Sequence, residues 1–216
     1  MNFCAHILCI MSSVWSIKRP AIFILLSFSS VTTLALPVAV NAQLGASKQE
    51  ITVSGPASRD IPSLAGSDLS WSLGVEIGIY KSIALGLSYI DYGEAKDSYI
   101  DQFNDVIEDR FDVTAIRLYA EWAPQVSNSL NFVIATGIES WNMEINETDS
   151  SMPGQTASVS DKGTDPFLQT GFRYRFQDNL TIGFLAAVVK LDAEAASGIS
   201  LDNKISSLRL ELAQKF

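Results

Sequence analysis

From residue 70 onward, apolar and polar side chains alternate with a period of two. Seven stretches show it: residues 70–80, 83–92, 111–123, 130–141, 166–176, 180–191 and 204–216. Successive side chains of a strand point to opposite faces, so this period predicts strands, and no stretch keeps a helical period for long. An eighth segment, 44–53, alternates less regularly and is read as the first strand. The lengths suit a tilted strand crossing a bilayer, which needs ~9–11 residues.

The connections alternate as well. Residues 81–82, 124–129 and 177–179 are short turns, whereas 93–110, 142–165 and 192–203 are long, with 54–69 a further long one. An up-and-down sheet places alternate connections at opposite ends, so all short turns share one end. The expected fold is all-β: an eight-stranded antiparallel up-and-down transmembrane β-barrel with short periplasmic turns and long outer loops.

Each strand has one apolar and one polar face. In 70–80, Trp71, Leu73, Val75, Ile77 and Ile79 oppose Ser72, Gly74, Glu76 and Gly78. In 204–216, Leu208, Leu210, Leu212 and Phe216 oppose Ser207, Arg209, Glu211 and Lys215, with Gln214 an exception. Only 180–191 is ambiguous, because Leu185 and Val189 lie opposite Ile182, Phe184 and Val188. Two closed barrels fit: a soluble lipocalin-like binder with the apolar face inward around an apolar ligand, or a membrane barrel with that face outward.

Three features favour lipid outside. The polar faces carry small residues that a narrow lumen can hold, such as Gly74, Gly86, Gly137 and Gly171. They also carry Glu76, Glu121, Glu139 and Glu211 against Arg117, Arg173, Arg175 and Arg209, a balanced set expected to form a lumen charge network, since buried charges need partners. Trp122, Phe132, Phe176 and Phe216 fall near the short-turn end, with Trp71 toward the other, as in the aromatic girdles of membrane barrels.

Composition adds an export signal. Lys18-Arg19 precedes an apolar run, then Pro37 and the small-residue end V-N-A, so residues 1–42 read as a signal peptide cleaved after Ala42 and 43–216 as the barrel domain. Serines and threonines interrupt the run, which argues against a spanning helix, and Leu8 before Cys9 argues against a lipoprotein site. Removing 1–42 takes away Lys18 and Arg19 but no acidic residue. That leaves 13 basic against 24 acidic side chains, a net of −11 that disfavours nucleic acid as a partner. It also removes both cysteines and His6, the single histidine.

Three stretches carry a family resemblance: G-L-S-Y-I-D-Y-G at 86–93, L-Q-T-G-F-R-Y-R-F-Q-D-N-L-T-I-G-F at 168–184, and the terminal L-R-L-E-L-A-Q-K-F. The chain resembles the small outer-membrane barrels of the OmpA/OmpX type, the outer membrane protein beta-barrel domain class, over residues 70–216. The resemblance implies location in the outer membrane of a Gram-negative bacterium, contact with outer-membrane lipid and lipopolysaccharide, and recognition of the C-terminal strand ending in Phe216 by the assembly machinery.

Without histidine or cysteine, residues 43–216 cannot supply a serine–histidine, cysteine–histidine or histidine–metal mechanism. No cofactor or metal motif is present. The expected function is therefore non-enzymatic: a plugged, charged lumen with a structural role or surface interaction through acidic outer loops 93–110 and 142–165. The alternatives are a narrow porin-like channel and the lipocalin-like binder. Tyr99, Phe103 and Ile107 have the spacing of one face of a short loop helix.

Overall fold

A computed structural model describes residues 36–54, 63–100, 103–195 and 199–216. Eight strands follow one another: β1 (Val38–Ser54), β2 (Leu64–Tyr80), β3 (Ile83–Ile100), β4 (Val106–Trp122), β5 (Leu130–Asp149), β6 (Thr156–Gln177), β7 (Leu180–Ala195) and β8 (Ile199–Lys215). Each pairs antiparallel with its neighbours, and β1 pairs with β8 to close the barrel. Closure leaves no edge strand with unpaired backbone groups, the condition for crossing lipid with strands.

The apolar faces point outward. Leu208, Leu210 and Leu212 on β8, Leu73 and Val75 on β2, and Ile116 and Leu118 on β4 are all exposed. Their partners in parity, Arg209, Glu211, Ser72, Glu76, Arg117 and Tyr119, are buried in the lumen. The inside-out alternative, with leucines turned inward around a ligand, does not form. Phe132 packs on Phe172 at 5.3 Å between ring centres, and Trp122, Phe176 and Phe216 are exposed beside the short turns. Trp71 pairs with Tyr89 on the same outer face near the opposite end.

The strands are much longer than a bilayer crossing requires. Most of the expected outer loop 93–110 is strand, since β3 runs to Ile100 and β4 begins at Val106. In the same way, β5 and β6 leave only 150–155 of the expected loop 142–165, and β7 and β8 absorb most of 192–203. The reason is that the period of two continues beyond the lipid with different chemistry. Ile107, Asp109, Phe111 and Val113 face inward, while Glu108, Arg110, Asp112 and Thr114 alternate with them on the less buried face. The expected helix is replaced by a hairpin: Tyr99 of β3 pairs with Ile107 of β4, and Phe103 sits at the turn, 75% exposed.

The first strand is also longer than its sequence pattern suggested. The leader expected over 1–42 lies outside the described residues as far as Ala35, but its last residues belong to β1. Val38–Ala42 pairs with residues 73–77 of β2, and Ala39–Ala42 pairs with residues 212–215 of β8. Asn41 is buried and donates to Glu76 Oε1 at 3.0 Å, and the Phe216 N–H donates to the Val38 carbonyl. Cleavage after Ala42 would strip the periplasmic end of the closing seam.

Two measurements check this architecture. Intact mass of protein isolated from outer membranes is expected to fit a chain that retains Val38–Ala42; a mass starting at Gln43 would show that the seam forms without them. Leu210, 61% exposed in the middle of the apolar band, is the place for a charge test. Leu210→Arg is expected to cost ~2–4 kcal/mol in refolding titrations into lipid, and an unchanged midpoint would contradict the outward facing.

Candidate functional site

The lumen is filled by two polar layers below an apolar one. The first centres on Arg173 of β6. Its guanidinium donates to Glu76 Oε1 at 2.9 Å and Glu211 Oε2 at 3.0 Å, and also to Glu121, so one cation holds carboxylates from β2, β4 and β8. Further donors support these carboxylates: Tyr119 Oη and Asn41 Nδ2 reach Glu76 Oε1, and Gln43 Nε2 reaches Glu211 Oε2. Tyr119 fits because Gly86 faces it across the strand pair; a Cβ there would collide with the phenol ring. That close approach explains the glycine at a lumen position.

The second layer centres on Arg117, 2% exposed. Its Nε donates to Glu139 Oε2 at 2.6 Å and its Nη2 to Tyr92 Oη at 2.6 Å, while Tyr92 Oη donates to Glu139 Oε1 at 2.7 Å. The guanidinium lies 4.1 Å from the centre of the Phe167 ring. Arg209 shares this level and makes no salt bridge among the described residues. It stands over the Tyr92 ring at 5.3 Å and donates to Ser207 Oγ at 2.8 Å. Tyr92 continues the inward parity of Gly86, Ser88 and Ile90, and β3 bulges just beyond it: the register jumps between Asp91 and Glu94, Gly93 has φ 77°, and the buried parity switches to Ala95.

Seven of the eight charges expected in the lumen lie there. Arg175 does not. It keeps the parity of Arg173 and pairs in register with Thr181, but it lies at the short-turn end of the barrel and its side chain is exposed there. The buried set is thus four glutamates against three arginines, so the expected balance fails by one carboxylate. Neutral donors from Tyr92, Tyr119, Asn41 and Gln43 complete it, and Gln169 Oε1 accepts from Arg117. Alternation on the polar faces is the available signal for Tyr119, Gln169 and Tyr92, which shares the face of Gly86, whereas Asn41 falls within the segment expected to be a signal peptide.

Beyond Arg117 the lumen turns apolar, contrary to a charged interior throughout. Ile90, Phe111, Val113, Trp141, Met143, Val189, Leu191 and Ile205 pack into one cluster with Ile51 and Leu201. This resolves the ambiguous strand: on β7, Leu185, Val189 and Leu191 face the lumen, Leu185 between Gly171 and Arg209 and the other two in the apolar part, while Ile182, Phe184 and Val188 face lipid. The gap among Gln43, Ser88, Arg117, Tyr119, Phe167 and Gln169 is too small for a water molecule.

The outer hairpins carry the acidic residues. Asp97 of β3, Asp109 of β4 and Glu147 of β5 stand in register across three strands. Asp109 is buried between them, and desolvation, followed by the charges of Glu147 and Asp97, pushes its carboxyl up to about 6. The fold therefore disfavours ionised Asp109. That cost is complete above about pH 6 and disappears as pH falls toward the unfolded value of about 3.9. Amide protection factors of the β3–β5 hairpins are expected to rise from pH 7.5 to 5, and Asp109→Asn is expected to remove the change. Protection that falls on acidification would contradict the assignment.

Comparison with known proteins agrees with this geometry. No curated protein sequence matches the chain. Among solved structures, Neisserial surface protein A is 12% identical with a TM-score of 0.56, covering 82% of this chain and 99% of that one. OprG of Pseudomonas aeruginosa is 10% identical with a TM-score of 0.56, covering 84% and 96%. AlkL, solved in DMPC bilayers, is 14% identical with a TM-score of 0.52, covering 94% and 97%. At these identities the likeness shows the fold alone. The outer membrane protein beta-barrel domain matches residues 21–212, and the chain belongs to that family.

Proposed function

We propose that the protein is a closed, non-enzymatic barrel of the Gram-negative outer membrane that supports envelope integrity and makes surface contacts through its acidic outer hairpins. The filled lumen carries this reading. Arg173 ties three strands together across the barrel, and beyond Arg117 a packed, mostly apolar cluster fills the lumen around an Asn203–Gln49 amide pair. Charges moving through such a section would meet the large desolvation cost of an apolar interior. The lumen carboxylates are engaged by arginine, tyrosine and amide donors, an arrangement suited to holding the wall rather than to turning over a substrate. Export through a cleaved leader and assembly through the strand ending in Phe216 accompany this reading.

The porin-like alternative makes the opposite forecast in planar bilayers. The wild-type barrel is expected to give no steady conductance, and stable ion-selective steps would overturn the closed-lumen reading. Arg173→Leu leaves three buried carboxylates without their cation. It is expected to cost ~3–5 kcal/mol in refolding titrations and to raise the frequency of transient leaks. An unchanged refolding midpoint would show that the three-carboxylate contact does not hold the wall.

A further inference from the structure

On the outer face, where the apolar band ends, strands β3 to β6 enclose an open groove of about 510 Å³. The composition of the wall changes row by row from just below the groove outward. Leu87, Leu118, Ile138 and Pro166 stand in register across the four strands and form an apolar row. The next row outward is Tyr89, Ile116, Ser140 and Thr164, and the one after it is Asp91, Thr114, Asn142 and Lys162. Within two rows the wall passes from hydrocarbon to hydroxyl, amide and ammonium groups. The Trp71–Tyr89 ring pair marks the same level, and amphipathic rings favour the headgroup region.

Lys162 differs from most cations of the outer half; Lys204 also makes no ion pair among the described residues, but it stands opposite Glu50 and Lys190. Lys48, Lys96, Arg110 and Lys190 each hold a carboxylate two residues away on their own strand. Lys162 has no carboxylate partner of this kind among the described residues; the Asp161 carboxylate accepts its backbone N–H instead. Asp91 in the same row is taken up by the Trp71 indole and the Gly93 N–H. Carboxylates return one row further out, at Asp112 and Glu144. The cationic part of the groove is therefore shallow and matches one phosphate group rather than a polyanion.

We propose that this groove binds the phosphorylated headgroup of an outer-leaflet lipid, with one phosphate at Lys162 beside the hydroxyls of Ser140 and Thr164. The acyl chains then run along Leu87, Leu118 and Ile138. Charge complementarity and the apolar row below select a phosphorylated amphiphile over a free anion, because only the amphiphile uses both the groove and that row. The inference rests on the outer-membrane reading above, and it can fail while fractionation still places the barrel in that membrane.

Native mass spectrometry of the full barrel in octyl glucoside micelles tests it, with synthetic lipid A, its dephosphorylated counterpart and inorganic phosphate as probes. Wild-type protein is expected to retain lipid A, Lys162→Gln to retain at least tenfold less, and Lys162→Arg to retain it as wild type does. Lys190→Gln, on another part of the wall, is expected to change nothing. Heat-shifted electrophoretic mobility checks that each variant is folded. Equal retention by Lys162→Gln, equal binding of the dephosphorylated lipid, or displacement by an equal concentration of inorganic phosphate would each overturn the proposal.

Discussion

The pairing of β1 with β8 is the constraint on which the rest of the molecule depends. A sheet in lipid cannot leave a row of backbone groups unpaired, because no water is there to satisfy them. The seam runs from Ala39↔Lys215 to Ser54↔Ser200, almost the whole length of both strands. It sets register as well as closure. With Leu44 opposite Leu210 on the lipid side and Gly45 opposite Arg209 in the lumen, a slip of one residue would place Arg209 and Glu211 in hydrocarbon.

Closing eight strands leaves a lumen that only side chains can fill, and the two halves solve that problem differently. Near the short turns, long charged side chains cross the barrel, and one arginine satisfies carboxylates from three strands. A buried cation of this kind adds little net stability compared with a well-packed apolar core, but removing it leaves uncompensated charges. Beyond Arg117 the strands rise out of the lipid, and there the lumen packs like the core of a soluble protein around Phe111, Trp141 and Met143. Trp141 closes this section by donating its indole N–H to Asp165 at 2.7 Å and lying over Gly163. The outer hairpins are thus a small soluble-type barrel standing on a membrane barrel.

That division explains which expectations succeeded. Within the lipid, one face must be apolar and the other must fit the lumen, so alternation was sharp and Leu208, Leu210, Arg209 and Glu211 were placed on the correct sides. Above the lipid the outer face becomes polar while the inner face becomes apolar. Segments such as 93–110 then keep their alternation but lose the leucine-rich signature, which gives them the look of loops. β7 crosses from one regime to the other, which is why Leu185 and Val189 conflicted with Ile182 and Phe184.

The sequence by itself determined the strand count, the closed topology, the outward facing of the apolar side chains and most of the lumen charges, because a period of two and the solvent on each face act locally. Only the tertiary structure decided how those charges meet. Arg173 gathers Glu76, Glu121 and Glu211 from strands far apart in the chain, Arg175 falls outside because it lies at the short-turn end of the barrel, and closure of the barrel brings Tyr92 of β3 onto Arg117 of β4 and Glu139 of β5. The length of β1 was likewise a tertiary matter. Val38–Ala42 has little alternation of its own, and it becomes strand because β2 and β8 offer it two rows of backbone partners.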